Sequence, residues 1–165
     1  MATIKVDEGQ VGEALGDNTL EYPNINSCLS LTAVYADKKR YGGHAVMLDL
    51  QPGQLTLQQI CDKINANKGT STRLIIIGDI GTWNQHWGIL DQTKNLVLNG
   101  KKVTSVGDIG VKMGFATTDE YDTDNCATPG GSYDVYFGYI SGARKFWVYD
   151  TKTKLDCPYI GQKTW

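Results

Sequence analysis

An uninterrupted apolar run is the feature that most constrains how this chain folds. Residues 73–78 read Arg-Leu-Ile-Ile-Ile-Gly, with no polar residue alternating among the aliphatic ones. A short run of this kind is typical of a buried strand rather than of one that faces water. The chain must therefore build a core around this segment. Its 165 residues, 41% of them hydrophobic, suffice for one such core, so we expect a single domain over residues 1–165.

The other apolar runs are mostly short, whereas one segment has a clear helical pattern. Thr56 and Gln59 have the spacing of a capping box, which marks the start of a helix over 56–67. Residues 133–139 alternate well and, with the run 146–149 beyond a Ser-Gly turn, predict a β-hairpin. We therefore predict an α/β fold in which mixed β-sheets form a sandwich-like core and helices pack outside it.

Weaker patterns complete the secondary-structure prediction. They indicate strands at 3–6 and 103–106, a helix at 87–97, a loop or short irregular helix at 9–18, and loops at 79–83 and 119–131. The last loop contains an acidic cluster whose spacing differs from that of a calcium-binding loop, so we interpret it as a solvated segment. Its acidic residues are Asp119, Glu120, Asp122 and Asp124.

Cys28 and His44 are the residues best suited to chemistry. A thiolate nucleophile needs a nearby base, and the chain has only two histidines. The runs 28–35 and 44–50 flank a polar turn and favour a hairpin, although a helix beginning at Cys28 is the alternative. A hairpin folded about its midpoint, residue 36, places Cys28 opposite His44, with Gly42-Gly43 available to form a bulge.

Such a pair predicts two further properties of the site. A histidine base is usually held by a carboxylate, amide, hydroxyl or carbonyl group, and Thr32, Asp79 and Asn24 are the candidates for this third group. If His44 stabilises the thiolate, Cys28 is the most reactive thiol of the chain and reacts well below pH 8. Cys61 lies on the apolar face of the predicted helix and should be unreactive.

The segment around this pair resembles a known enzyme family. Asn26-Ser-Cys followed by an apolar run, and then Gly42-Gly-His-Ala-Val-Met-Leu, is similar to the chemoreceptor glutamine deamidases over roughly residues 20–116. The Ser-Cys and downstream histidine are also similar to cytotoxic necrotizing factor-type toxin deamidases. The resemblance implies that Cys28 is the nucleophile and His44 the base of a reaction that converts a protein glutamine into glutamate through a thioester. Asn26 stands where that family has glycine.

Two other functions compete with this one. His86 and the pair Asn125-Cys126 resemble the histidine and cysteine of permuted papain-like acyltransferases. Alternatively, the nine tyrosines and four tryptophans, with Trp83 and Trp87 beside His86, could form the surface of a non-enzymatic binding module.

Charge and motifs exclude several partners. A net charge of −2 gives no basic field for nucleic acid or anionic membrane, and no run approaches the roughly 18 apolar residues of a membrane span. No cofactor or zinc motif is present, so we predict no cofactor, and a glutamine-bearing protein as partner if the chain is an enzyme. The absence of a signal peptide predicts a cytoplasmic protein with reduced thiols. The sequence leaves export as an effector open, and in that case Cys126 and Cys157 could pair in a disulfide. It does not predict an oligomeric state.

Overall fold

Two mixed β-sheets stack face to face in a computed structural model that describes residues 1–126, 128 and 130–165. The first sheet has the order β1-β3-β10-β11-β12, with β13 also paired to β11, and the second has the order β2-β5-β4-β6-β9. Helices pack on the outer face of the second sheet. The predicted fold class, α/β with mixed sheets and helices outside, is therefore confirmed.

The elements have the following bounds. The first sheet contains β1 (Thr3–Lys5), β3 (Thr19–Ile25), β10 (Tyr133–Ile140), β11 (Ala143–Asp150), β12 (Leu155–Asp156) and β13 (Lys163–Thr164). The second contains β2 (Val11–Ala14), β4 (Leu29–Val34), β5 (Arg40–Ala45), β6 (Arg73–Gly78) and β9 (Thr117–Asp122). A small ribbon joins β7 (Val97–Leu98) to β8 (Lys101–Lys102), and the helices are α1 (Leu57–Asn67), α2 (Ile80–Gln85) and α3 (Val106–Met113).

Strand β6 is buried on both of its faces, as its sequence predicts. Ile75 and Ile77 point into the core between the two sheets, whereas Leu74 and Ile76 point into the core beneath the helices. Because side chains alternate along a strand, β4 divides its residues between the same two cores. Leu29 and Leu31 face the helices, while Val34 faces the first sheet, as does Cys28 just before the strand.

Helix α1 and the C-terminal hairpin form where the sequence places them. Thr56 and Gln59 make the reciprocal bonds of a capping box, and the buried face of α1 is Leu57, Ile60, Cys61 and Ile64. Strands β10 and β11 pair in register around the Ser141-Gly142 turn, where both residues have a positive φ. Each of these elements has strong local signals that agree with its tertiary environment.

Several weaker predictions are wrong. Residues 9–18, predicted as a loop or short irregular helix, contain strand β2, and helix α2 begins within the predicted loop at 79–83. The predicted helix at 87–97 is a series of turns interrupted by Gly88 at φ +82°. The segment 103–106 leads into α3, because the Ser105 hydroxyl caps that helix by accepting a bond from the Asp108 amide. Three residues of the acidic cluster, Asp119, Glu120 and Asp122, lie on strand β9 rather than in a loop, since β6 pairs with this strand in parallel and Arg73 forms a salt bridge with Asp119. Asp124 follows in a 3-10 turn.

A disulfide joins Cys126 to Cys157. The expectation of reduced thiols therefore does not hold for these two residues, which are buried rather than exposed. Over the described residues, none of the helices has the length and apolar character needed to cross a membrane.

Candidate active site

Cys28 and His44 both lie at the interface between the two sheets. His44 is on β5 opposite Ser30 of β4, and Cys28 directly precedes β4. The two are therefore diagonal neighbours on one face of the hairpin. The sequence predicted instead that they would be directly opposed. The reason is the turn, which is centred on Asp37 and closed by a bond from the Tyr35 amide to the Lys39 carbonyl. Diagonal neighbours still lie within reach of one another.

The imidazole of His44 is fixed by a main-chain group. Its Nδ1 lies 3.0 Å from the Val6 carbonyl oxygen, and because a carbonyl only accepts, Nδ1–H donates. The Val6 amide in turn donates to the Glu21 carbonyl at 2.8 Å, which ties this segment to β3. Tyr22 packs edge-on against the ring, with centroids 6.3 Å apart. This arrangement leaves Nε2 as the nitrogen with a free lone pair in the neutral ring.

Burial determines the protonation state of His44. The residue is fully buried, and desolvation lowers the pKa of its imidazole below the usual value. Within the described part of the chain, Nε2 has no hydrogen-bond partner. His44 is therefore a neutral, oriented base whose accepting nitrogen is unused.

Cys28 is held at the end of a tightly packed strand. The Trp83 indole donates to the Ser27 carbonyl at 2.8 Å, and the Asp79 amide donates to the Cys28 carbonyl at 3.3 Å. Gly78 passes so close that a Cβ at this position would overlap the Cys28 carbonyl oxygen. These contacts fix the main chain of Cys28 and leave its side chain directed toward His44 and Glu8.

Glu8 completes a cluster that the sequence did not reveal. The segment after β1 pairs with β5 at His44: the Gly9 amide donates to the His44 carbonyl at 2.8 Å, and the His44 amide donates to the Gln10 carbonyl at 3.0 Å. This pairing brings a Glu8 carboxylate oxygen to 4.0 Å from Cys28 Sγ. The sulfur, an imidazole nitrogen and the carboxylate oxygen all lie within 4.8 Å of one another.

The thiol of Cys28 is protonated at neutral pH. Burial, with a smaller contribution from the Glu8 carboxylate, raises its pKa to about 12. Cys28 is only 2% exposed, so little water solvates a thiolate. The expectation that His44 lowers this pKa is therefore wrong for the unliganded protein. The pair consists of a neutral thiol and a neutral imidazole.

An open depression adjoins the cluster. It has a volume of about 370 Å³ and is lined by Asp7, Glu8, Pro23, Asn24 and Gln54. Glu8 is exposed at this surface, whereas Cys28 and His44 are buried. The depression therefore has an acidic wall, and Glu8 connects it to the buried thiol and imidazole.

The three predicted third groups do not hold the imidazole. The Thr32 hydroxyl is hydrogen-bonded to the Tyr22 hydroxyl at 2.7 Å, and the Asp79 carboxylate accepts from Thr82 at 2.8 Å. Asn24 lines the depression, and its main-chain N–H donates to the Asp134 carboxylate. The Val6 carbonyl takes the position instead. No side-chain signal marks it, because only its main chain participates.

The residues of the two competing functions are placed differently from their predictions. Cys126 is disulfide-bonded and is not a free thiol, which contradicts the papain-like arrangement. His86 is exposed, and among the described residues its imidazole bonds only to the Thr82 carbonyl. Trp83 is fully buried and Trp87 packs against the helical core, so these two do not form a binding surface with His86.

The chain matches no protein-family model and no curated protein sequence. Among solved structures it is similar to the C-terminal domain of CNFy from Yersinia pseudotuberculosis, with a TM-score of 0.48 and 9% sequence identity. The alignment covers 99% of this chain and 62% of that one, so the chain spans less than two thirds of the length of that structure.

Proposed function

We propose that this chain is a cysteine-dependent amidohydrolase that deamidates glutamine side chains of proteins. The observation that carries the proposal is the orientation of His44: the Val6 carbonyl holds Nδ1–H, and the free Nε2 lone pair belongs to a ring within 4.8 Å of Cys28 Sγ. A nucleophile beside an oriented base is the arrangement that covalent catalysis requires. The resemblance of the Cys28 and His44 segments to glutamine deamidases supports the same reaction.

His44 acts as a general base in the first step. Because the thiol is protonated, Nε2 removes its proton as the sulfur attacks the carboxamide carbon, and a C–S bond forms. The Val6 carbonyl stabilises the resulting imidazolium through Nδ1–H. An imidazole nitrogen lies within 4.8 Å of the sulfur, and catalytic contacts commonly tighten when substrate binds.

The remaining steps restore the enzyme. The imidazolium returns its proton to the departing nitrogen, the C–N bond breaks, and ammonia leaves a thioester on Cys28. His44 then removes a proton from water, which attacks the thioester. The C–S bond breaks, the sulfur regains a proton, and a glutamate side chain is released.

Glu8 gives the site a preference for primary amides. Its carboxylate only accepts hydrogen bonds, and it lies 4.0 Å from the nucleophilic sulfur. In that position it accepts a bond from the –NH₂ group of a glutamine side chain. It also repels the carboxylate of the product, which favours release.

The test is release of ammonia from glutamine-bearing proteins, followed by mapping of glutamine-to-glutamate conversion by peptide mass spectrometry. We expect conversion with the wild-type chain and none with Cys28→Ser or His44→Asn. The matched control is Cys61→Ser, which removes the other free cysteine from the opposite core and should leave conversion intact. Hydroxylamine, which cleaves thioesters, should release the acyl group from Cys28.

Two results would contradict the proposal. Conversion that persists in Cys28→Ser would assign the activity to other residues or to a contaminant. A chain that neither releases ammonia nor forms a hydroxylamine-sensitive adduct with small primary amides would not be an amidohydrolase.

A binding function has one observation in its favour. Tyr136 and Trp147 stack with centroids 5.3 Å apart on β10 and β11, and both are half-buried. They lie on the face of the first sheet that points away from the sandwich core. If this face binds a partner, Trp147→Ala should abolish binding while Cys28→Ser leaves it unchanged.

A further inference from the structure

We infer that Glu8, Cys28 and His44 form a binding site for Zn²⁺, and that occupation of this site is incompatible with nucleophilic attack by Cys28. Thiolate sulfur, imidazole nitrogen and carboxylate oxygen are the three ligand types that proteins use for zinc. Here one of each comes from a different segment of the chain.

The spacing of the three ligand atoms suits a tetrahedral ion. Zinc–ligand bonds of about 2.0–2.3 Å place the ligands of one ion roughly 3.5 Å apart. The three atoms already lie within 4.8 Å of one another, and the sulfur and carboxylate are separated by 4.0 Å. Glu8 is exposed, so its carboxylate can rotate toward an ion held by Cys28 and His44. Glu8 also lines the depression, from which water can supply the fourth ligand.

The orientation of His44 is an independent indication of a ligand. It is fully buried, yet Nε2 has no partner in the described part of the chain, and an unsatisfied buried nitrogen is costly. Metal-binding histidines usually donate their other N–H to a carbonyl or carboxylate. The bond from Nδ1 to the Val6 carbonyl is of this kind.

The charge balance of the cluster favours a divalent cation. Glu8 contributes one negative charge, and Cys28 contributes a second when Zn²⁺ displaces its thiol proton to solvent. Asp7 lines the same depression and adds a further carboxylate nearby. The ion thereby removes the desolvation cost that otherwise keeps the buried thiol protonated.

Binding of zinc and catalysis then exclude each other. The sulfur lone pair that attacks a carboxamide is the one that binds the metal, and Nε2 is both base and ligand. Zn²⁺ would therefore be a reversible inhibitor: at sufficient concentration the free ion occupies the sulfur and prevents its attack.

The test uses Zn²⁺ in calorimetric titration and Co²⁺ as a spectroscopic probe, with the oxidised full chain. We expect one metal ion per chain, visible absorption of tetrahedral Co²⁺, and a near-ultraviolet sulfur-to-cobalt band. Cys28→Ser should abolish that band. Glu8→Gln alters an exposed side chain and should weaken Zn²⁺ binding by about tenfold or more, since loss of even an outer-shell partner costs roughly 10–100-fold.

Two variants serve as controls. Cys61→Ser removes the other free thiol and should leave the cobalt spectrum unchanged. Asp124→Asn alters a separate acidic group, in which carboxylate oxygens of Asp79, Asp122 and Asp124 lie within 4.8 Å of one another, and should leave Zn²⁺ affinity unchanged.

The inference is overturned if no sulfur-to-cobalt band appears, if the band survives Cys28→Ser, or if Glu8→Gln binds Zn²⁺ as tightly as the wild type. The last result would reduce the site to a chance thiol–imidazole pair. All of these readouts are spectroscopic or calorimetric and need no substrate. Their failure is therefore distinguishable from failure of the proposed deamidation, which is assayed with a chelator present.

Discussion

At the scale of single residues, burial acts on Cys28 and His44 in opposite directions. Desolvation raises the pKa of the thiol to about 12 and lowers the pKa of the imidazole. Each group is therefore neutral near pH 7, and the two do not form a thiolate–imidazolium ion pair. In the proposed reaction, proton transfer therefore accompanies attack on the substrate. A protonated thiol is also protected from reagents that only react with a thiolate.

This predicts how Cys28 responds to iodoacetamide. With a chelator present, its labelling rate in the folded chain should rise about tenfold per pH unit between roughly pH 6 and 9, because the thiolate fraction does so well below the pKa. Peptide mass spectrometry resolves it from Cys61, and urea-unfolded chain supplies the reference in which both thiols react alike. A rate that is already maximal at pH 6 would contradict the neutral pair.

His44 should also make stability depend on pH. Its pKa is lower in the folded chain than in the unfolded one, so the unfolded state binds the proton more tightly. The stabilisation is present above the unfolded pKa of about 6.5 and is lost as the pH falls toward the folded pKa.

Urea titrations at pH 7.5 and pH 5.5, in chelator, measure this effect. We expect the free energy of unfolding of wild type to fall more over this interval than that of His44→Asn. Equal losses in the two chains would show that His44 carries no such linkage.

Residue types single out Cys28 and His44 as candidates in the sequence, whereas their surroundings could not be predicted from it. The sequence shows the cysteine, the histidine and a separation between them that fits two strands of a hairpin. The Val6 carbonyl has no side-chain signature, and Glu8 reaches the site only because the chain after β1 pairs with β5 at His44. Thr32 was a reasonable candidate for the third group, but Tyr22 from the other sheet occupies its hydroxyl.

At the scale of elements, the hairpin of β4 and β5 depends on two glycines. Gly42-Gly43 pairs in continuous register with Leu31 and Thr32, so the predicted bulge is not present. The glycines serve close packing instead. A Cβ at Gly42 would overlap the Tyr22 hydroxyl, and one at Gly43 would overlap the Ile60 side chain on α1.

Gly43→Ala should therefore destabilise the fold by about 1–3 kcal/mol through overpacking. The Cβ meets Ile60, so the cost should shrink in an Ile60→Ala background, where that side chain is truncated. Chemical denaturation of the four chains gives a double-mutant cycle. Strictly additive losses would show that the clash with Ile60 is not the cause.

Elements were predicted well where local and tertiary preferences agree. The capping box of α1 and the turn between β10 and β11 are local signals that the packed structure retains. Strand β9 could not be predicted from its acidic composition, because pairing with buried β6 determines its conformation. The repeated Gly-Asp-Ile-Gly shows the same effect: 78–81 ends a strand and begins α2, whereas 107–110 lies within α3.

At the scale of the whole molecule, the Cys126–Cys157 disulfide links the two sheets. Cys126 follows β9 of the second sheet after a 3-10 turn, and Cys157 directly follows β12 of the first. Its sequence separation of 31 residues removes conformational freedom from the unfolded chain.

Opening this bond should lower the free energy of unfolding by about 3–4 kcal/mol. The comparison is between oxidised and reduced wild type in urea titrations. The double variant Cys126→Ala/Cys157→Ala is the control, because its stability should not respond to reductant. An unchanged wild-type midpoint after verified reduction would mean that the link adds no stability.

The placement of β1 makes the position of Val6 sensitive to local unfolding. This strand lies at the end of the first sheet and pairs with β3 through three residues, Thr3, Ile4 and Lys5. Val6, which orients His44, comes directly after it. Mild denaturant or warming should detach this strand while the sandwich persists, so His44 loses its orientation before the fold is lost. The proposed deamidation would then depend on one short edge strand, and stabilising that strand would prolong it with little change in the melting temperature.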